Sequence, residues 1–369
     1  EGVFAFFLEG GFLGLMLFGG NRLGPRLWLF AIFMVAFGAH FSALWIVMAN
    51  SWMQTPEGFH VAGGRAVLDS FWDALFTAST WPRFTHTFAS CLAAGGFLMA
   101  GLAALLVRRG QDEAAPALKA GVIAALVGSL LCAFPTGHWH AVQVARTQPE
   151  KLATIEGLID GGPRAPLIVF GIPSTDAQGN PEVKARIEIP GGLSLLAHHD
   201  IDAPVPGLNE LRERNLAASG GTHADLPPFA LPFIAFHSMV GIGSAMIALA
   251  GLAAFLLWRG RLASSGLMLR LLPLAIPLPI LAQQLGWITA EVGRQPWVVW
   301  KHLRTAEAFS PVVDAGQVLT SLIGFGVVYA LLFVALLAVI VRLLGKGLPS
   351  LGGTTAIAAP PVADEGKEA

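Results

Sequence analysis

The chain has 369 residues, 54% of them hydrophobic and only 13% charged, with a mean hydropathy of +0.63. A soluble chain carries about 25% charged residues, so this balance excludes an ordinary water-soluble domain and points to a membrane protein. The net charge of −1 gives no basic surface for nucleic acid and no acidic tail with a solvating role.

A helix needs about 20 mostly apolar residues to cross the hydrocarbon core of a bilayer. Seven such runs are predicted, at roughly residues 1–19, 27–50, 84–107, 118–136, 229–258, 268–290 and 315–342. Glu1 opens directly into EGVFAFFLEGGFLGLMLFGG with no charged or cleavable leader ahead of it, which reads as a chain truncated at its N-terminus. Short links between most runs favour antiparallel neighbours in an all-α, polytopic membrane bundle. The expected organisation is membrane helices over 1–134, a long polar loop over 135–228, membrane helices over 229–342, and a disordered tail over 343–369. The loop is rich in Pro, Gly and charge, too polar to lie in lipid, and a loop of this length is a natural place for a substrate site. Arg22, Arg26, Arg108, Arg109, Lys119, Arg259, Arg261, Arg270, Arg342 and Lys346 fall on one side of successive spans, which the positive-inside rule makes cytoplasmic. The long loop and the EVGRQPW segment then face outward. Cys91 and Cys132 sit in apolar runs without a CxxC spacing and read as small buried apolar residues.

An ionisable side chain inside a span costs at least about 2.5–3.5 kcal/mol, so each one is a functional candidate. They are Glu1, Glu9, His40, His86, His237 and Glu291, with Arg83 and Arg294 near span ends. His86, in WPRFTHTFASCLAAGGF, is followed by small residues that admit a close neighbour or a flat cofactor, and neutral imidazole is a common iron ligand. The competing reading is a buried histidine bonded to a carbonyl. Met239, in LPFIAFHSMVGIGSAM, offers a thioether that opposite an imidazole makes a six-coordinate haem, or it simply fills core. GWITAEVGRQPWVVW packs Trp287, Glu291, Arg294 and a helix-ending Gly293 and Pro296 at one span end. A carboxylate there can ligate iron and an Arg can grip a propionate, whereas an aromatic belt explains Trp297 and Trp300 but not Glu291. On a helix Glu1 and Glu9 lie about 80° and about 12 Å apart, an arrangement that suits a proton path.

At GWITAEVGRQPW the chain resembles subunit I of the cytochrome bd oxidases, whose signature is GRQPW with a glutamate two residues before it. The resemblance extends through EGVFAFFLEGGFLGLMLFGGNRLG, HFSALWIVMANSWMQTP, RFTHTFAS, QPEKLATIEG, FGIP, PVPGLNEL and AFHSMVGIG, in the family's order. It implies seven of the family's nine spans, the first two and a haem-ligating histidine on them being absent from this sequence. It also implies that His86 and Met239 are the axial ligands of a low-spin haem b. Glu291 matches the carboxylate ligand at a di-haem site holding a high-spin haem b and a haem d, or a second high-spin haem b. Glu1 and Glu9 match acids beside that site, and Arg83, Arg294 and Trp287 match positions around haem propionates and between haems. Asn50 matches a polar residue of the family, and Lys151 and Glu156 of KLATIE match its quinol site.

The implied activity is oxidation of ubiquinol or menaquinol at the outer face and reduction of oxygen to water, generating a proton motive force without a conventional pump. The implied setting is the lipid of a bacterial inner membrane, with subunit II and a small single-span subunit as partners and no nucleic acid. One departure is Gly137-His138-Trp139-His140, where family members carry an acid after GD. It leaves open a homologue with another electron donor or lost activity, against which Lys151 and Glu156 weigh. His138 and His140 read as a surface metal pair or as solvated loop histidines. A non-redox transporter would use the intramembrane glutamates for ions, but the sequence has no evident inverted repeat and His86 with Met239 would have no purpose.

Overall fold

The computed structural model describes Gly2, residues 7–19 and residues 22–347. Glu1 and the tail from residue 348 onward lie outside the described residues, so the expectations placed on them are not addressed. The chain forms two compact units, residues 1–46 with 342–369 and residues 47–341.

In the first unit, α1 (Phe7–Phe18) precedes the start of α2 (Pro25–Gln54). Gly38 of α2 lies against Glu9, where a methyl group would come within 3.1 Å of the Glu9 Cβ. Phe12 meets Phe30 edge to face at 5.7 Å, and Trp28 donates its indole N–H to the Met16 carbonyl at 3.2 Å. At 12 residues, α1 is shorter than a bilayer requires.

The second unit begins with the last turns of α2, followed by a hairpin of β1 (Phe59–Ala62) and β2 (Arg65–Leu68), then α3 (Phe71–Leu75) and α4 (Thr80–Arg108). α5 (Ala115–Leu131) returns beside α4. Gly96, Gly121 and Gly128 face the backbones of Ala125, Ala100 and Ala93, so the two helices approach more closely than a side chain at any of these positions allows. α5 passes through a π-helical segment, Cys132–Thr136, into α6 (Gly137–Thr147). The helix therefore runs past Pro135, where the sequence reading starts the polar loop. His138 and His140 are helical rather than loop residues.

The polar segment is compact. α7 (Pro149–Glu156) opens with a proline in its first turn and closes at Gly157, whose φ of 70° suits a glycine. A hairpin of β3 (Leu167–Thr175) and β4 (Pro181–Ile189) follows, then α8 (Gly192–His198) and α9 (Leu208–Ala218). Val144, Leu152, Ala153, Leu158, Leu193, Ala197, Leu208 and Leu211 give this region its own core. α10 (Ala230–Trp258), α11 (Met268–Leu274) and α12 (Pro277–Val292) complete the bundle. After them come a short hairpin of β5 (Trp297–Val299) and β6 (Leu303–Arg304), and α13 (Ala315–Lys346). The expected tail therefore starts no earlier than the end of this helix.

Six helices are long and apolar enough to cross a membrane: Pro25–Gln54, Phe71–Arg108, Asp112–Thr147, Ala230–Trp258, Met268–Val292 and Ala315–Lys346. The molecule is a multi-pass helical membrane protein. One expectation is corrected: Cys91 is exposed on the bundle surface and Cys132 only partly buried. Apolar residues of a membrane helix can face lipid as readily as core, so an apolar neighbourhood in sequence does not imply burial.

Candidate functional site

Glu291, on the last turn of α12, is the meeting point of three elements. Asn50 of α2 donates to its Oε1 at 2.9 Å, and Arg294 donates to its Oε2 at 2.5 Å. Arg83, at the start of α4, donates to the Asn50 side-chain oxygen, and its guanidinium lies 5.8 Å from the Trp287 ring centre. The expected Glu291, Arg294, Arg83, Trp287 and Asn50 are thus one assembly. Both arginines are buried, at 6% and 5% exposed. Yet Arg83 Nε and Arg294 Nε and Nη1 have no partner. Buried guanidinium N–H groups left open are suited to an incoming carboxylate.

Lys151 and Glu156, both on α7, are buried. Lys151 points toward α2, donating to Gln54 Oε1 at 2.5 Å and to Gln148 Oε1 at 2.7 Å. Burial, reinforced by the charges of Arg83 and Arg294, pushes its pKa well below the usual lysine value. Burial also pushes the Glu156 carboxyl up to about 8, and its Oε2 has no hydrogen-bond partner. Gln54 and Gln148, which the sequence reading does not single out, connect this end to Glu291. Gln54 Nε2 lies 3.2 Å from the Ala290 carbonyl and 3.4 Å from Glu291 Oε1. A signal was present, since Asn50 and Gln54 are four residues apart, one face of α2 at the end of an apolar run.

His86 and Met239 stand on different helices. Ala93 and Phe97 of α4 share a buried cluster with Met246 and Ala250 of α10, and Ala103 and Val107 share another with Ala253. The two helices therefore run in the same direction. His86 and Met239 each precede this common core by two turns, about 10 Å, on nearly the same helical face as Ala93 and Met246. α12 bridges them: Gln283 donates to Ser90 at 3.3 Å, and Gly286 faces the Met239 sulfur. The His86 ring lies 3.6 Å from the Cys132 sulfur through Nδ1, and its centre is 5.6 Å from that of His140. His237, by contrast, has its ring nitrogens 2.9 Å from the Phe233 and Ile168 carbonyls and serves to tie α10 to β3. His138 meets His199 of α8, and no group of three or more metal-binding side chains occurs among the described residues.

An imidazole and a thioether at one depth, a carboxylate on a second site, and open guanidinium N–H groups between form a donor set that fits haem iron and haem propionates.

Comparison with known proteins agrees. Residues 1–348 match the family described as cytochrome bd terminal oxidase subunit I. The chain is 35% identical to the cytochrome bd ubiquinol oxidase subunit 1 of Bacillus subtilis (strain 168), over 94% of this chain and 74% of that protein. It is 31% identical to the cytochrome bd-II ubiquinol oxidase subunit 1 of Escherichia coli (strain K12), over 91% and 76%. The bd oxidase structure from Geobacillus thermodenitrificans superposes with a TM-score of 0.79 at 31% identity, covering 93% of this chain and 76% of that one. The chain belongs to the cytochrome bd terminal oxidase subunit I family.

Proposed function

We infer that this chain is the haem-carrying subunit of a quinol oxidase that reduces oxygen, acting with a second subunit. The observation that carries this reading is the position of Glu291. It is bonded on one side to a cluster of buried arginines with unpaired N–H groups, and on the other, through Gln54, it adjoins the buried Lys151 of α7.

His86 and Met239 would hold a low-spin haem b, and Glu291 the iron of a high-spin haem, either b or d, at the di-haem site. Bound haem supplies one-electron transfer and oxygen activation. The protein supplies the rest. Arg83 and Arg294 would bind propionates with their open N–H groups, and Arg294 with Asn50 keeps the Glu291 carboxylate in one orientation. Glu9, with Glu1, would pass protons toward the oxygen end. At the other end, Lys151 would orient the quinol oxygen and Glu156 would accept its proton at the carboxyl. On α7 the two lie about 140° apart, so they flank a ligand rather than pair.

The polar segment would face the outside of a bacterial inner membrane, opposite the arginine-rich links, with ubiquinol or menaquinol as donor. A small single-span subunit and lipid would complete the assembly. Glu291→Ala in the full-length subunit, assembled with its partner, tests this. The high-spin bands of the reduced-minus-oxidised spectrum should be disturbed and oxygen consumption lost, with the low-spin band retained. Native oxygen consumption would overturn the reading.

A further inference from the structure

α2 ends on a glutamine whose side chain is completely enclosed. Gln54 is 0% exposed. Its Oε1 accepts from Lys151 at 2.5 Å and from Gln148 Nε2 at 3.0 Å. Its Nε2 faces the Ala290 carbonyl at 3.2 Å and Glu291 Oε1 at 3.4 Å. An amide side chain has two acceptor sites and two N–H donors, so all four are engaged. The amide also has one sensible orientation. The Ala290 carbonyl can only accept, so turning the amide over would set oxygen against oxygen there and nitrogen against the lysine donor.

We propose that Gln54 is a positioning residue that couples the quinol end of the protein to the haem-ligand end. Its oxygen fixes the Lys151 amine and its nitrogen bears on the Glu291 carboxylate, so neither group moves without the other. The coupling is reciprocal. A quinol that draws Lys151 away loosens the donor on Glu291, and a change at Glu291 alters the acceptor offered to Lys151. No proton has to pass through the amide, because a fixed dipole between the two groups is sufficient. The inference rests on the reading of Lys151 as a quinol-site residue and Glu291 as an iron ligand.

Two substitutions separate the halves of this arrangement. Gln54→Glu keeps an acceptor for Lys151 and Gln148 but replaces the donor that faces Ala290 and Glu291 with another oxygen. Gln54→Leu removes both. In the full-length subunit assembled with its partner, the quinol KM and the midpoint potential of the high-spin haem are measured, with the low-spin band as internal standard. Gln54→Leu should raise KM by about tenfold, the effect expected from losing a charge-assisted hydrogen bond, and should lower the high-spin potential. Gln54→Glu should leave KM near native while lowering that potential further, because added negative charge favours ferric iron. Should Gln54→Leu fail to assemble, Gln54→Glu decides alone through this split. Equal effects of Gln54→Glu on both readouts, or an unchanged high-spin potential, would overturn the proposal. Lys151→Ala and Glu291→Ala run in parallel. If KM does not respond to the first or the high-spin spectrum to the second, the underlying assignments fail. If both respond and the Gln54 variants do not, the coupling alone fails.

Discussion

Glu156 offers a way to separate a structural carboxyl from a working one. It is 6% exposed, one carboxyl oxygen has no partner, and burial moves its pKa from 4.5 to about 8. At about 1.36 kcal/mol per pH unit this difference is on the order of 5 kcal/mol. The sign follows from the raised value. The folded protein prefers the neutral acid, so the associated stability is complete below pH 4.5, declines as pH rises, and is lost once pH passes about 8. Gln cannot ionise, so Glu156→Gln should remove this decline, and thermal denaturation of the assembled complex at about pH 6 and about pH 9 should show a flatter profile than the parent. If the same carboxyl takes the quinol proton, the substitution should also lower quinol oxidation by about 10²–10⁴-fold. In the parent, quinol oxidation should rise with pH toward about 8 as the accepting carboxylate forms. A variant with native quinol turnover would end the assignment as proton acceptor. An unaltered pH dependence of melting would refute the reasoning from burial.

His86→Ala or Met239→Leu, in a full-length subunit, should each abolish the low-spin haem b band together with quinol oxidation, and a normal band in either would remove that residue from the ligand pair. A methyl group at Gly286 would lie 3.1 Å from the Met239 sulfur. Gly286→Ala should therefore displace the thioether by a few tenths of an ångström and shift the low-spin band while retaining the haem, and an unchanged spectrum would place Met239 off the iron. Lys151→Ala should impair quinol oxidation and spare oxygen reduction driven by an artificial donor that bypasses α7. Equal loss of both activities would take the quinol site elsewhere.

The spans were legible because a bilayer imposes a length on any helix that crosses it, and hydropathy records that length directly. Glu291 with Arg294 was legible for a similar reason, being three residues apart at a helix end. What joins them to Asn50 and Gln54 was not. Asn50 and Glu291 are 241 residues apart in sequence, and only the packing of α2 against the end of α12 brings them together. Gln54 has no charge, so it does not stand out in a search for ionisable groups, although a neutral amide can bridge a donor and an acceptor where a charge would need a counter-ion. The GHWH stretch misled through polarity, because polar residues continue a helix as well as apolar ones once the chain leaves the bilayer core. Burial of the cysteines failed for the converse reason, since lipid-facing and core-facing positions are equally apolar.

The wide turn at Cys132–Thr136 sets the rotational phase of everything that follows it. A π turn accommodates one residue more than an α-helix of the same rise, and each residue turns the helix by about 100°. Deleting a single residue within this segment would therefore relax it to a continuous α-helix and swing the face of α6 by about that angle. His140 would leave the side of His86, and α7 would enter with its two buried ionisable groups exchanged for their neighbours. Length variation elsewhere in the polar segment changes only loops, whereas here the count of residues acts as a frame, and an insertion or deletion would behave as a frameshift in three dimensions.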